Sequence, residues 1–163
     1  MIDKISVIVP VFNGQDHIGR CLRSLIGQKA SIETEIIVVD DGSTDLTEYA
    51  LSQFGSAIRV IRNEGNVGLP TSLNSGIMAA SGNYIARVDA DDYVNAHFLQ
   101  FLTEYLLHAE GMDAAACDYY LVDENEGILE MVSSEQTPIG CGILFRKEDM
   151  LKVGLYNPSF FSP

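Results

Sequence analysis

Basic residues are scarce in this chain of 163 residues, where ten Lys and Arg stand against 23 Asp and Glu and the net charge is −13. Nucleic-acid-binding proteins normally present a basic face, so this balance argues against such a role. The shortage is greatest between Arg87 and Arg146, an interval with twelve acids and no Lys or Arg. Most of these acids, such as those of "DENEGILE", are expected on a solvated surface.

Long apolar runs and a cysteine framework are also missing. No run approaches the ~18 apolar residues of a membrane helix, and the start, "MIDKISVIVPVF", lacks the apolar core and cleavage site of a signal peptide. The three cysteines, Cys21, Cys117 and Cys141, are spaced for neither zinc binding nor a disulfide framework. They predict reduced core residues in a cytoplasmic protein.

Several motifs of nucleotide and hydrolase chemistry are absent as well. There is no Gly-rich loop ending in Lys and Ser or Thr, no GxGxxG after the first strand and no Ser elbow, so P-loop, dinucleotide-binding and hydrolase functions lack their motifs. The three histidines, His17, His97 and His108, show no metal-ligand spacing.

What the sequence does contain is an alternation of strands and amphipathic helices. Short β-branched runs predict four strands, each followed by a helix: "ISVIVPVF", "EIIVVDDG", "IRVIRNE" and "NYIARVD". The second helix is predicted to start at Asp45 and to bury Leu46, Tyr49, Ala50 and Phe54. Unbroken apolar strands in β-α units predict an α/β fold, a mostly parallel sheet with helices on both faces.

The pattern changes after about residue 110. Further strands are predicted in "AAACDYYLV", "GILEMV" and "CGILFR", before a short helix near "KEDMLKV". We therefore expect residues 1–110 to form a nucleotide-type half and residues 111–163 to begin a smaller, mixed half of the same domain.

Polar residues cluster where the predicted strands end, and ligands of open parallel sheets bind beyond the carboxyl ends of the strands. Asp89 and Asp91 follow the fourth strand and point to the same side, about 6.5 Å apart. Two such carboxylates repel by roughly 2 to 3 kcal/mol at an effective dielectric constant of about 20. A divalent cation, Mg²⁺ or Mn²⁺, is the expected counter-charge, whereas Asp92 suits either this site or a helix cap.

Other strand ends allow two interpretations each. Asp40 and Asp41 suit hydrogen bonds to a base or ribose, or the capping of the next helix. Phe12 suits stacking on a base or packing at the edge of the core. Gly65 and Gly68 let the backbone approach a phosphate, or simply form a turn.

Five segments in order resemble the family 2 glycosyltransferases of the GT-A fold, over nearly the whole chain. The likeness is greatest to the bacterial branch that builds exopolysaccharide, capsule or lipopolysaccharide chains. The segments are "SVIVPVFNGQDHIGRCLRSLIGQ", "EIIVVDDGSTD", "NVGLPTSLNSGI", "GNYIARVDADD" and "IGCGILFRKEDMLKVGLYNPSF".

This resemblance implies a site for the nucleotide of a UDP-sugar. Pro10 and Phe12 match residues that cradle the uracil end, and Asp41 matches the acid that hydrogen-bonds the base. Asn66 and Gly68 match a loop that lies near the nucleotide.

The resemblance also implies a DxD motif. Asp89 matches the acid near the ribose and donor sugar, and Asp91 matches the ligand of the Mn²⁺ or Mg²⁺ that bridges the diphosphate. Asn74 matches a helix residue that faces the donor, but Leu73 stands where many relatives carry Arg. The general base of this inverting family falls after Pro163, so no catalytic residue is identified in the chain.

The implied function is inverting transfer of a hexose or amino sugar from a UDP-sugar to a growing glycan or lipid-linked saccharide, with a full-length parent at the inner membrane face. Given the missing base, we expect this chain to bind donor better than it catalyses. One alternative is a catalytically incomplete nucleotide-binding fragment or scaffold. Another is a sugar-phosphate nucleotidyltransferase, although "VFNGQDHIG" lacks the basic loop that such an enzyme needs. A receiver domain would carry its acid pair after the first strand instead.

Overall fold

A computed structural model describes residues 4–109 and 111–160. Within these residues the strands are β1 (Lys4–Val11), β2 (Glu33–Asp40), β3 (Arg59–Arg62), β4 (Tyr84–Arg87), β5 (Ala114–Ala116), β6 (Tyr119–Val122), β7 (Ile128–Val132) and β8 (Ile143–Arg146). The helices are α1 (Ile18–Ile26), α2 (Thr47–Ser52), α3 (Leu69–Ala79), α4 (Phe98–His108) and α5 (Lys147–Val153). None of these helices has the length and hydropathy of a membrane span.

Six strands form the central sheet, in the order β3-β2-β1-β4-β8-β5. Strand β1 pairs in parallel with β2 and β4, and β2 pairs in parallel with β3. Strand β8 lies antiparallel between β4 and β5. The predicted α/β fold with a mostly parallel sheet is therefore confirmed.

Strand β1 is the centre of the core because both of its faces are covered. Val7 and Val9 belong to a cluster on the side of α1 and α4, while Ile8 belongs to a second cluster on the side of α3. This alternation is the period of two that a strand imposes. Helix α3 approaches closely at Gly76, where a Cβ atom would lie 2.6 Å from Ile8 Cγ2.

The predicted buried face of helix α2 is confirmed only in part, because Ala50 and Phe54 pack against the core but Leu46 and Tyr49 do not. Leu46 and Tyr49 are 65% and 67% exposed, while Thr47 and Leu51 are buried. The prediction missed Thr47 because this residue is polar. Its hydroxyl donates to Asp45 Oδ1 (2.5 Å) and accepts from the backbone N–H of Gly14 (2.9 Å). Such a hydrogen-bonded hydroxyl can be buried at little cost.

Residues after 110 contribute to both sheets. Strands β5 and β8 extend the central sheet, whereas β6 and β7 pair with each other in a separate two-stranded sheet. The segment "AAACDYYLV" therefore contains two strands, one in each sheet, and the central sheet draws on both predicted halves of the chain.

The Glu35 carboxylate joins three segments at the amino end of the sheet. Its Oε1 accepts hydrogen bonds from Ser6 Oγ (2.5 Å), from the backbone N–H of Ser81 (2.7 Å) and from Ser81 Oγ (2.8 Å). Burial raises the pKa of Glu35, but these hydrogen bonds and Lys4 outweigh it and lower the pKa to about 2. The folded state therefore holds this group ionised more strongly than the unfolded chain does.

We predict that Glu35 makes the protein acid-sensitive in the window from about pH 4.5 to about pH 2. A lowered folded-state pKa gives stability that is present above the unfolded pKa and is lost as the pH falls through the folded pKa, by about 3 kcal/mol in all. Urea unfolding of wild type and Glu35→Gln across this range should show a flatter pH dependence in the variant. Glu33→Gln, at an exposed carboxylate two residues away, is the matched control. Equal slopes for Glu35→Gln and wild type would contradict the prediction.

Candidate functional site

A cleft of about 310 Å³ opens at the carboxyl ends of β1 and β4. Four of the eight predicted site residues line it: Pro10, Phe12, Asp89 and Asp91. Phe12 is 47% exposed, so it is not a core residue and its ring is accessible from the cleft. The cleft thus combines an accessible aromatic ring with an acid pair.

The loop after β1 is held in place by the loop after β2. The backbone N–H of Asn13 donates to Ser43 Oγ (2.9 Å), and Asn13 Oδ1 accepts from the N–H of Thr44 (2.8 Å). Asn13 itself has a positive φ of 51°, a conformation that asparagine tolerates better than most residues. Sequence analysis overlooked Asn13, although an Asn-Gly pair after a strand is a known turn signal.

Asp41 lies outside the residues that line the cleft, in a buried position behind the third strand-end loop. Its Oδ1 accepts from Asn63 Nδ2 (2.8 Å) and the N–H of Val67 (3.0 Å), and its Oδ2 accepts from the N–H of Gly68 (2.9 Å). Burial raises the pKa of Asp41, but these hydrogen bonds outweigh it, and the pKa lies below its ordinary value. Asp41 is therefore a buried anion that orders the loop of residues 63–68. Its neighbour Asp40 accepts from the N–H of Ser43 (2.9 Å), as expected of a turn acid.

That loop approaches the backbone at Gly42 very closely. Gly42 has a φ of 74°, and a Cβ atom there would lie 2.5 Å from Gly65 Cα. Asn66, the next residue, accepts a hydrogen bond from the N–H of Gly68 at its own Oδ1 (3.0 Å). Both predicted loop residues, Asn66 and Gly68, therefore take part in the loop's internal hydrogen bonds.

Asn74 is committed to a different segment of the chain. Its Nδ2 donates to the carbonyl of Tyr156 (2.8 Å), and its Oδ1 accepts from the N–H of Tyr156 (3.0 Å). This pair of bonds fastens residues 154–157 to α3. Both polar atoms of the Asn74 side chain are therefore used within the protein, and donor contact by Asn74 stays a prediction.

The positive charge that faces Asp89 is the guanidinium of Arg87. Arg87 donates from Nε to Asp89 Oδ1 (2.7 Å) and from Nη2 to Asp89 Oδ2 (2.9 Å). Arg87 therefore offsets part of the negative charge of the acid pair, and the expected divalent cation stays a prediction. The sequence places Arg87 two residues before Asp89, but it does not show that the two side chains pair.

Asp91 is exposed, and its backbone is held by Arg20. The Nη2 atom of Arg20 donates to the carbonyl of Asp91 (3.0 Å), and the guanidinium lies 4.4 Å from the centre of the Tyr93 ring. Among residues 4–109 and 111–160, Asp89 has an ion-pair partner but the Asp91 carboxylate has none, and Arg20 donates only to the Asp91 main chain.

A third acid and a thiol lie beside Asp89. Carboxylate oxygens of Asp89 and Asp92 and the sulfur of Cys141 are within 4.8 Å of one another. Burial raises the pKa of the Cys141 thiol, as does the hydrogen bond to Asp92, and burial raises the pKa of Asp92. The carboxylates of Asp89, Asp91 and Asp92 suit Mg²⁺ or Mn²⁺, which prefer oxygen, better than a thiol-seeking metal. Cys141 was predicted as a core residue, and nothing local in the sequence indicates its place beside the acids.

Solved structures share the fold of this chain. The chain superposes on Staphylococcus aureus TarS 1–349 with a TM-score of 0.80 at 24% identity, over 98% of this chain and 52% of that one. It superposes on the mannosyltransferase PcManGT of Pyrobaculum calidifontis, solved with GDP-Man and Mn²⁺, with a TM-score of 0.77 at 20% identity, over 97% and 50% of the two chains. These likenesses establish the GT-A fold.

Sequence comparison gives the family. A family model described as glycosyl transferase family 2 matches residues 6–161, and the chain belongs to that family. It is 37% identical over 129 residues to the glycosyltransferase GlyA of Streptococcus pneumoniae, covering 77% of this chain and 18% of that protein. It is 39% identical over 123 residues to EpsJ, an uncharacterized glycosyltransferase of Bacillus subtilis, covering 74% and 35%. The chain thus spans about a third or less of these relatives.

We predict that Gly42→Ala destabilises the fold by more than the conformational cost of a positive φ, which is about 1–2 kcal/mol. The added Cβ atom would meet the backbone of Gly65, which cannot move without disturbing the loop that Asp41 holds. Gly55→Ala is the matched control, since Gly55 also has a positive φ (51°) and nothing within 4 Å of its Cβ position. Urea unfolding should show a larger loss of unfolding free energy for Gly42→Ala than for Gly55→Ala. Equal losses would contradict the prediction, because the backbone of Gly65 would then have moved away from the new Cβ atom at no cost.

Proposed function

We propose that this chain is the donor-binding part of an inverting glycosyltransferase that uses a UDP-sugar and a divalent metal. The observation that carries the proposal is the cleft, where the accessible ring of Phe12 and the acids Asp89 and Asp91 line one space. A nucleotide-sugar has a flat base at one end and a diphosphate at the other, and these features match the two kinds of group.

The nucleotide end would bind against Pro10 and Phe12, with stacking on the half-exposed ring. Asp41 would act on the base either directly or through the loop of Asn66 and Gly68 that it orders. The solved structures of TarS with UDP and with UDP-GlcNAc support a uridine nucleotide for this fold, and the complex of PcManGT with GDP-Man keeps a guanosine nucleotide as the competing choice.

The acid end would hold Mn²⁺ or Mg²⁺. Asp91 is proposed as the first metal ligand because its carboxylate is exposed. Asp89, held by Arg87, is proposed as the second ligand and would also face the ribose and donor sugar. The metal's chemistry is to neutralise negative charge that grows on the departing diphosphate. PcManGT, solved with Mn²⁺, supports metal use in this fold.

The acceptor would be a growing glycan or lipid-linked saccharide, in the synthesis of a bacterial polysaccharide. In this proposal residues 1–110 form the donor half and residues 111–163 begin the acceptor half, with the general base after Pro163. The three free cysteines fit a cytoplasmic location for the reaction. Donor binding without robust transfer is the behaviour expected of the 163-residue chain.

We predict that UDP binds the purified chain in a manner that depends on Mn²⁺ and on Asp91. Calorimetric titration of UDP should show saturable binding with Mn²⁺, and Asp91→Ala should weaken it by at least about tenfold because a metal ligand is lost. GDP titrated under the same conditions tests the base preference and should bind more weakly.

Asp113→Ala is the matched control for this titration. Asp113 precedes β5 at the opposite end of the sheet from the cleft, is exposed, and its removal changes the net charge by the same amount. Its affinity for UDP should equal that of wild type. Binding that ignores Mn²⁺, or that Asp91→Ala leaves intact, would rule out the proposed metal site.

A further inference from the structure

The side chain of Arg87 is an unusual feature of the acid site because it is a nearly buried cation among carboxylates. It is 13% exposed, against 31% for Asp89, and it faces Asp89 with two parallel hydrogen bonds of 2.7 and 2.9 Å. A bidentate pair of this kind fixes the plane of the carboxylate as well as its distance. The orientation of Asp89 is therefore set by Arg87.

Arg87 is in turn held from several sides. Its carbonyl accepts from the N–H of Gly142 (3.0 Å), and the side chain passes so close to Gly140 that a Cβ atom there would lie 2.5 Å from Nη1. Burial lowers the pKa of Arg87, but the hydrogen bonds to Asp89 and the charge of Asp89 outweigh burial and raise that pKa. The guanidinium thus has little freedom to leave Asp89.

Arg87 could bind phosphate, form a purely structural ion pair or position Asp89, and these contacts favour the positioning role. Direct phosphate binding by Arg87 is disfavoured because Nε and Nη2 already donate to Asp89, while Nη1 on the other face lies against Gly140. A purely structural ion pair would not need to involve Asp89, whose carboxylate lies beside Asp92 and which lines the cleft together with Asp91. Without Arg87, like charges from those two acids would push the Asp89 carboxylate out of place.

We propose that Arg87 is a positioning residue, which holds the Asp89 carboxylate in the orientation that the metal and the donor diphosphate require. The inference rests on the proposed function, since it concerns the same site. The two acids then differ in their roles. Arg87 orients the Asp89 carboxylate before the metal binds, and the Asp91 carboxylate remains available for the metal.

The test measures Mn²⁺ affinity directly, by electron paramagnetic resonance of free and bound Mn²⁺ with saturating UDP, so that no transfer activity is needed. Arg87→Gln should weaken Mn²⁺ binding by about 10- to 100-fold, the usual effect of removing a partner that orients a metal site. Arg87→Lys keeps the charge but not the forked geometry, and it should fail to restore wild-type affinity. Arg59→Gln, which removes a guanidinium bound to the carbonyl of Ala79 far from the cleft (2.9 Å), should match wild type.

Gly140→Ala keeps the test decisive if the Arg87 variants unfold. Gly140 is exposed, and no positive φ is found there, so alanine suits the backbone while its Cβ atom displaces Nη1. This variant should lose Mn²⁺ affinity in the same direction, and both this loss and the drop in unfolding midpoint should be smaller than in Arg87→Gln.

The possible results separate the inference from the proposed function. Failure of wild type to bind UDP with Mn²⁺ would overturn the proposed function and the inference together. If Arg87→Gln and Gly140→Ala both bind Mn²⁺ as tightly as wild type, the inference alone is overturned, because Arg87 does not affect the metal site. Tighter Mn²⁺ binding by Arg87→Gln would also overturn it, because Arg87 would then compete with the metal. Full recovery in Arg87→Lys would also overturn it, since charge without orientation would suffice.

Discussion

The structure depends on one constraint, the burial of β1 between two parallel neighbours. Because β2 and β4 both run in the direction of β1, all three strands end at the same edge of the sheet. The register pairs Val11 with Asp40 and Ile8 with Arg87. Phe12, Asp41 and Asp89 therefore emerge close to one another, although they are far apart in sequence. The cleft is a consequence of this register rather than of any local motif.

Acids that lie close together at one edge of the sheet repel one another, and each of these acids is stabilised by different contacts. Asp41 is buried and accepts hydrogen bonds from backbone N–H groups and Asn63. Asp89 is paired with a nearly buried guanidinium. Asp91 remains exposed, with Arg20 bound only to its carbonyl. The carboxylates of these acids therefore differ in how available they are to a ligand, although all of them follow strands in similar acidic segments.

Residues 140–146, from the later part of the chain, pack beside the acids and Arg87. Strand β8 lies antiparallel to β4, which brings Cys141 next to the acids and Gly140 against Arg87. Asn74 on α3 holds the backbone of Tyr156 through two hydrogen bonds. Residues from the less regular part of the sequence therefore pack around Arg87 and the acids, and the surroundings of these acids depend on contacts made about fifty residues further along the chain.

By itself, the sequence determined the alternation of strands and helices, the parallel sheet and the edge at which polar groups gather, because apolar periodicity and turn residues are local signals. It also brought out Phe12, Asp89 and Asp91, whose side chains do line one cleft. It could not determine the whole buried face of α2, since Thr47 is buried through hydrogen bonds that join distant loops. Nor could it determine that Asp41 and Asn74 bind other parts of the protein, or that Arg87 and Cys141 flank the acids. Those facts rest on the antiparallel insertion of β8 and on long-range hydrogen bonds, and only tertiary structure decides which partners meet.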